Sequence, residues 1–163
     1  MMELYLLRHG IAEEGLAGQS DADRALTAEG KRKLHSVMKT ALKANVEPSL
    51  ILSSPFKRAV QTAQIAADVL KYKGEMLRTE ALVPSSQPST VWDEVRVHRQ
   101  ETQLILTGHD PLFTDLAGYL LGFPGLRMDF KKGALLRIDF DKFSAQPQGT
   151  LKWMLVPKLA GAD

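Results

Sequence analysis

The sequence predicts an α/β fold, a three-layer α/β/α sandwich with a mostly parallel central sheet, formed as a single domain over residues 1–163. Three observations predict it. Short, almost wholly apolar runs at Leu4–Leu7, Leu50–Leu52 and Leu104–Leu106 have the length and continuity of strands covered on both faces. Longer segments with apolar residues at helical spacing separate them, which is the strand–helix rhythm of a parallel sheet flanked by helices. A chain of 163 residues is also long enough to bury a real core.

The first strand runs into Arg8-His9-Gly10, where Gly10 permits a sharp turn as the chain leaves the sheet. A polar stretch from Ile11 to Leu26 follows. It is long for a strand-to-helix connection, and long loops in compact domains tend to be functional. Thr27 is the expected cap of a helix to about Ala44, whose core side is Leu34, Val37, Met38, Ala41 and Leu42, with His35 a surface or packing residue. Leu50-Ile51-Leu52 is the second buried strand. It leads into Ser53-Ser54-Pro55, where Ser54 is expected as N-cap and Pro55 as the first helical residue. Arg58 then falls in the first turn of that helix, where a cation opposes the macrodipole. A phosphate docked at the same N-terminus would supply the reason for it.

Glu75–Thr79 is a weak strand, Glu80–Ser89 a loop, and Thr90–Gln100 a helix with Val91, Val95 and Trp92 as candidates for its inner face and His98 solvated. Gln103–Thr107 is a further buried strand ending in Gly108-His109-Asp110-Pro111, with Asp110 capping and Pro111 opening the next helix. Gly122–Gly125 breaks that helix. Ala134–Phe140 and Leu151–Val156 form an antiparallel hairpin around the Ser144–Gly149 turn. Phe123, Phe130 and Phe143 fit either a core or an exposed contact, and Asp129–Gly133, with Lys131 and Lys132, reads as an ordinary solvated turn.

Composition removes several function classes. The chain has no cysteine, so disulfides, thiolate catalysis and zinc–thiolate sites are excluded. A net charge of +2 without a clustered basic run argues against nucleic acid as a partner. The start has neither a basic n-region nor a long apolar stretch, and no apolar run approaches the ~20 residues of a membrane span, so the expectation is a cytoplasmic protein with no membrane partner. Neither a phosphate-binding P-loop nor a dinucleotide fingerprint is present, which counts against a nucleotide-driven reaction.

Chemistry in open α/β sheets gathers at the carboxyl ends of strands. There the chain offers Arg8-His9-Gly10, the Ser53-Ser54 turn leading to Arg58, and Gly108-His109. Two arginines, two histidines and two helix N-termini describe a pocket for a dianionic phosphate, since guanidinium forks match phosphate oxygens. His9, His109, Asp21, Asp23 and Asp110 are potential metal ligands, but they form no tight motif and the arginines would repel a cation; no metal and no cofactor is expected.

With those motifs in order, the chain resembles the histidine phosphatase superfamily, and within it the small SixA-type phosphohistidine phosphatases. The resemblance is carried by Leu6-Leu7-Arg8-His9-Gly10, by Asp23 to Gly30, by Ser53 to Ala63 and by Gly108-His109-Asp110-Pro111, spanning nearly the whole chain. It implies a phosphoglycerate mutase-like fold and a phosphatase in which His9 is the phosphorylated nucleophile. By the same resemblance Arg8, Arg58 and a protonated His109 surround the phosphoryl group, and Ser54 joins them in binding substrate. Many relatives carry an acidic proton donor after the third strand, where this chain has Leu82-Val83-Pro84-Ser85-Ser86-Gln87 and no carboxylate. Imidazole leaves far more readily than an alkoxide, so this departure favours a phosphoramidate substrate such as phosphohistidine; the resemblance implies that a protein carries it, a histidine-phosphorylated signalling or phosphotransfer domain. Asp21 or Asp23 remains available as an acid, with Asp23 more naturally a structural partner of Arg24 or Arg8. The competing readings are a small-molecule phosphomonoesterase on the same site, and an inactive phosphate- or phosphoprotein-binding module. Simple binding needs no nucleophile, so the retained pair His9 and His109 argues against the latter.

Overall fold

In a computed structural model describing residues 1–162, the apolar runs become one six-stranded sheet. The strands are β1 (Met2–Arg8), β2 (Leu50–Ser53), β3 (Met76–Arg78), β4 (Gln103–Gly108), β5 (Leu135–Phe140) and β6 (Thr150–Leu155). Their order is β3-β2-β4-β1-β5-β6. The first four are mutually parallel, and β5 is antiparallel to both neighbours. The expected three-layer sandwich with a mostly parallel sheet is therefore the observed architecture, and the hairpin at its end is the predicted one.

Period-two alternation divides each central strand between two cores. Tyr5, Leu7, Ile51, Ile105 and Leu135 pack with Leu34, Val37 and Met38 of α1 (Ala28–Lys43) and Ala63 and Ala66 of α2 (Lys57–Val69). Leu4, Leu6, Leu52, Leu104 and Leu106 pack with Val91 and Trp92 of α3 (Pro88–Val97) and Phe113 and Leu116 of α4 (Leu112–Leu120). Each fully buried Leu or Phe contributes about 2 kcal/mol of hydrophobic stabilisation against the entropy of ordering the chain. Trp92 is fully buried and its indole N–H donates to the Ser144 carbonyl. Phe130 is buried, Phe143 covers Trp92, and Phe123 stands exposed, so the three aromatic residues divide among core, rim and surface.

Three helix starts differ from expectation, and one of them is that of α3, which begins at Pro88 and not at Thr90 and ends at Val97. Ser54 does not cap α2. The helix begins at Lys57 behind Phe56, which provides no side-chain cap, and the Ser54 hydroxyl accepts from the Phe56 N–H while facing His109. Helix α4 begins at Leu112, one residue past Pro111, although Asp110 accepts from the Thr114 N–H as a cap would. Thr27 caps α1 as expected, its hydroxyl accepting from the Gly30 N–H. No helix among the described residues is long and apolar enough to cross a membrane.

Candidate active site

The parallel register brings the three predicted strand ends together. Arg8 lies opposite Gly108, and Ser53 lies opposite Thr107, so one step further along each strand places His9, His109 and Ser54 side by side. The ladder continues past the strand ends, with the His9 N–H donating to the Gly108 carbonyl and the Ser54 N–H to the Thr107 carbonyl. The two imidazoles stand 5.3 Å apart between ring centres. His9, Arg58 and His109 are all buried.

Gly10 has no positive φ, so the turn after β1 requires glycine for close contact and not for backbone conformation. A side chain on Gly10 would press into Leu34, and one on Gly30 would collide with the Ile11 carbonyl oxygen, so two glycines let α1 start directly against the Arg-His-Gly turn. From the other side Thr62 of α2 accepts from the Gly10 N–H at 3.2 Å and donates to the Arg58 carbonyl at 2.8 Å. The loop before β5 closes the ring. The Gly133 N–H, at a positive φ of 79°, donates to the Arg8 and His9 carbonyls, and the Phe130 carbonyl accepts from Arg8 Nη1 at 2.6 Å. The segment read as an ordinary solvated turn, Asp129–Gly133, is thus part of the site's frame. Its signal in the sequence was weak, because carbonyl and amide contacts leave no side-chain pattern.

His9 has a defined tautomer. Its Nδ1 lies 2.7 Å from its neighbour's carbonyl, Gly10 O, and so carries the proton, leaving Nε2 with a free lone pair. Arg58 Nε donates toward that Nε2 at 3.4 Å. Burial, with Arg58 and Arg8 nearby, holds the His9 pKa down to about 4 despite the Gly10 hydrogen bond. Burial, followed by His9 and Arg58, brings His109 down to about 3. Burial foremost, with the charge of the nearby arginines, favours the neutral form of both rings in the free site. A bound phosphate dianion opposes that positive charge and favours the imidazolium.

Arg58 is already engaged. Its Nη1 donates to the Asp21 carbonyl at 2.8 Å and its Nη2 to the Asp21 carboxylate at 3.1 Å, with the guanidinium carbon 5.2 Å from the Phe56 ring centre. Arg24 also pairs with Asp21 at 2.9 Å. The Arg24 hydrogen bond foremost, together with Arg58, holds the Asp21 carboxyl below its ordinary range. Asp23, expected as the structural partner of Arg24 or Arg8, makes no ion pair among the described residues; its neighbour Asp21 takes that place because the short 3-10 turn at Asp21–Asp23 aims Asp21 at both arginines. No other carboxylate is hydrogen-bonded to Arg8, His9, Arg58 or His109 among the described residues.

His109 Nε2 lies 2.8 Å from the Ser54 hydroxyl, so the predicted substrate-binding serine is a neighbour of the second imidazole. Two buried side-chain nitrogens in the described residues lack a protein partner, Arg8 Nε and His109 Nδ1, and both belong to this cluster. Buried donors are rarely left unpaired, and an anion carrying several acceptor oxygens satisfies such a pair. Burial lowers the Arg8 pKa from its usual value, with Asp110 and Asp129 acting against it. No group of three or more His, Asp or Glu side chains among the described residues is arranged to hold a metal ion.

Comparison with known proteins decides the family. The model of the histidine phosphatase superfamily, branch 1, matches residues 4–82, which include the Arg-His-Gly turn and Arg58. An uncharacterized protein of Picosynechococcus is 30% identical over 161 residues, covering 96% of this chain and 98% of that one. The chain belongs to the histidine phosphatase superfamily. Its activity class is that of the superfamily, a phosphatase. The phosphohistidine phosphatase SixA of Escherichia coli is 27% identical over 161 residues, covering 96% of this chain and 94% of the relative. A solved structure of the protein histidine phosphatase SixA complexed with tungstate superposes with a TM-score of 0.86 at 26% identity, covering 96% and 98% of the two chains. The histidine phosphatase fold is thus shared along almost the whole length, including the helices and the hairpin beyond the family match.

Proposed function

We propose that this histidine phosphatase hydrolyses phosphohistidine on a protein, passing the phosphoryl group through His9. The observation that carries the reading is a neutral histidine whose Nε2 lone pair faces Arg58, with the Arg8 charge nearby, in a site whose touching carboxylate, Asp21, is bound in ion pairs. The similarity to SixA supports the same substrate class.

The Nε2 lone pair of His9 attacks phosphorus while the P–N bond to the substrate imidazole breaks. The departing pair returns to the substrate ring, which leaves as neutral imidazole when its other nitrogen carries a proton. Imidazole's conjugate acid titrates near ~6.5, so this step needs no strong acid from the enzyme, unlike expulsion of an alkoxide. Arg8 and Arg58 meet the charge on the equatorial oxygens, the main demand in phosphoryl transfer. His109, neutral in the free site, becomes a proton donor to phosphate oxygen as the dianion's charge raises its pKa. Water then attacks phospho-His9. The hydrogen bond from His9 Nδ1 to Gly10 keeps that nitrogen protonated, so His9 in turn leaves as a neutral ring and inorganic phosphate is released. Asp21 holds Arg58 rather than supplying a proton, since its carboxyl is kept ionised by two guanidinium groups.

The test compares phosphate release from a phosphohistidine protein and from a phosphoserine peptide, with chelator present, for wild type and His9→Ala. Release from phosphohistidine alone, lost in the variant, is expected. Equal release from the serine ester would instead make the chain a broad phosphomonoesterase, and undiminished release by His9→Ala would remove His9 as nucleophile.

A further inference from the structure

Beside the catalytic cluster, with Arg8 as a shared wall, lies an open groove of about 940 Å³. Four lysines from three separate segments line it: Lys33 of α1, Lys131 and Lys132 of the loop before β5, and Lys158 of the 3-10 turn Pro157–Ala160. Its one carboxylate among the described residues, Asp129, is paired with Lys131 at 3.0 Å. Lys33 is partly engaged by Glu29 along α1, while no ion pair involves Lys132 or Lys158 among the described residues. The chain as a whole carries only +2, so positive charge is concentrated at this mouth. Between the lysines the walls are apolar, formed by Ile11, Val156, Pro157 and Ala162, and Leu159 on the same turn as Lys158 is 75% exposed.

We infer that this groove docks an acidic, partly apolar segment of the phosphorylated partner protein, next to the phosphohistidine that enters the Arg8–His9–His109 cluster. The inference rests on the proposed function and names the partner's chemistry. Charge complementarity selects an anionic occupant, and the kind of cation selects among anions. The catalytic cluster meets phosphate with guanidinium forks, which suit one fixed, planar set of oxygens. The groove has flexible ammonium groups spread along apolar walls, which suit carboxylates distributed along a chain whose aliphatic side chains cover Val156 and Pro157. Continuity through Arg8 sets the direction in which the segment runs. Such a groove steers association and lowers KM without touching the reacting atoms, and its effect fades with salt.

The experiment has two arms. In the first, a short fluorescein-labelled peptide rich in Glu and Leu, without phosphate, is titrated by anisotropy against wild type and against a Lys33→Glu/Lys158→Glu double variant. Affinity is expected to fall about tenfold or more in the variant, and to be unchanged in a Lys142→Glu control outside the groove. Equal affinity in all three proteins would overturn the inference, as would tighter competition by tripolyphosphate or an oligonucleotide than by the unlabelled peptide. In the second arm, the double variant raises KM for an acidic phosphohistidine protein with kcat retained, and leaves hydrolysis of free phosphohistidine unchanged. An equal loss on both substrates would overturn the docking role. Peptide binding is read without chemistry, so wild type that binds the peptide but hydrolyses neither substrate counts against the proposed function alone.

Discussion

Acid tests the electrostatics of this site through folding stability. In the unfolded chain both catalytic-cluster imidazoles titrate near ~6.5. In the folded protein burial, reinforced by Arg58 and Arg8, brings His9 to about 4, and burial, reinforced by His9 and Arg58, brings His109 to about 3. A depressed folded-state pKa means that the unfolded chain binds protons the folded chain refuses. The histidines' contribution is therefore complete above the unfolded value, and it is lost as the pH falls from about 6.5 through about 4 for His9 and about 3 for His109. By about pH 4.5 linkage amounts to about 2.5 kcal/mol for each ring and about 5 for the pair, a sizeable share of a stability of about 5–15 kcal/mol. Urea unfolding of wild type, His9→Gln and His109→Gln across this range isolates the effect, because carboxylate titration is common to all three. Each variant is expected to lose about 2.5 kcal/mol less than wild type between about pH 7 and about pH 4.5. Parallel curves, differing in slope by under about 0.5 kcal/mol over that range, would show that the rings protonate freely in the folded state. The argument for a permanently neutral nucleophile would then fail.

The ion pair on Arg58 gives a sharper test of the candidate acid. Asp21→Asn weakens the hold on Arg58, so KM for a phosphohistidine protein should fall a few-fold with kcat nearly unchanged; because the carboxylate is 58% exposed, stability should change by less than about 1 kcal/mol. A collapse of kcat in steady-state kinetics would make Asp21 the proton donor. Gly30→Ala should lower stability by about 1–3 kcal/mol in calorimetry, since its methyl meets the Ile11 backbone and not a flexible side chain. An unchanged melting temperature would show that the Arg-His-Gly turn yields without cost.

Some of this site is local and was open to reading from the chain alone. Arg8, His9 and His109 follow buried apolar runs directly, and the strand end is where a parallel sheet exposes its chemistry. Arg58 stood out because a cation in a helix's first turn opposes the dipole. The family motifs tied these positions to one phosphate pocket, and the absence of a carboxylate in Leu82–Gln87 was visible as plain sequence.

Other features exist only once the sheet is assembled. Ser54 reads locally as a helix cap, yet register places its hydroxyl against His109, 55 positions away, and the helix waits until Lys57. Choosing Asp21 over Asp23 as the arginine partner depends on how one 3-10 turn faces α2. The Phe130 carbonyl meets Arg8 across 122 positions, so a turn with no catalytic motif becomes part of the frame. The neutral state of His109 is likewise collective, since desolvation and neighbouring charge are properties of the packed pocket and not of the residue. The lysine groove joins α1, the loop before β5 and the Pro157–Ala160 turn, which are distant in sequence and adjacent only in the folded chain. Sequence determined which reactive groups the strands deliver, because periodicity and local backbone preference act over a few residues; tertiary structure decided their partners, charge states and neighbours, because those arise from burial and long-range register.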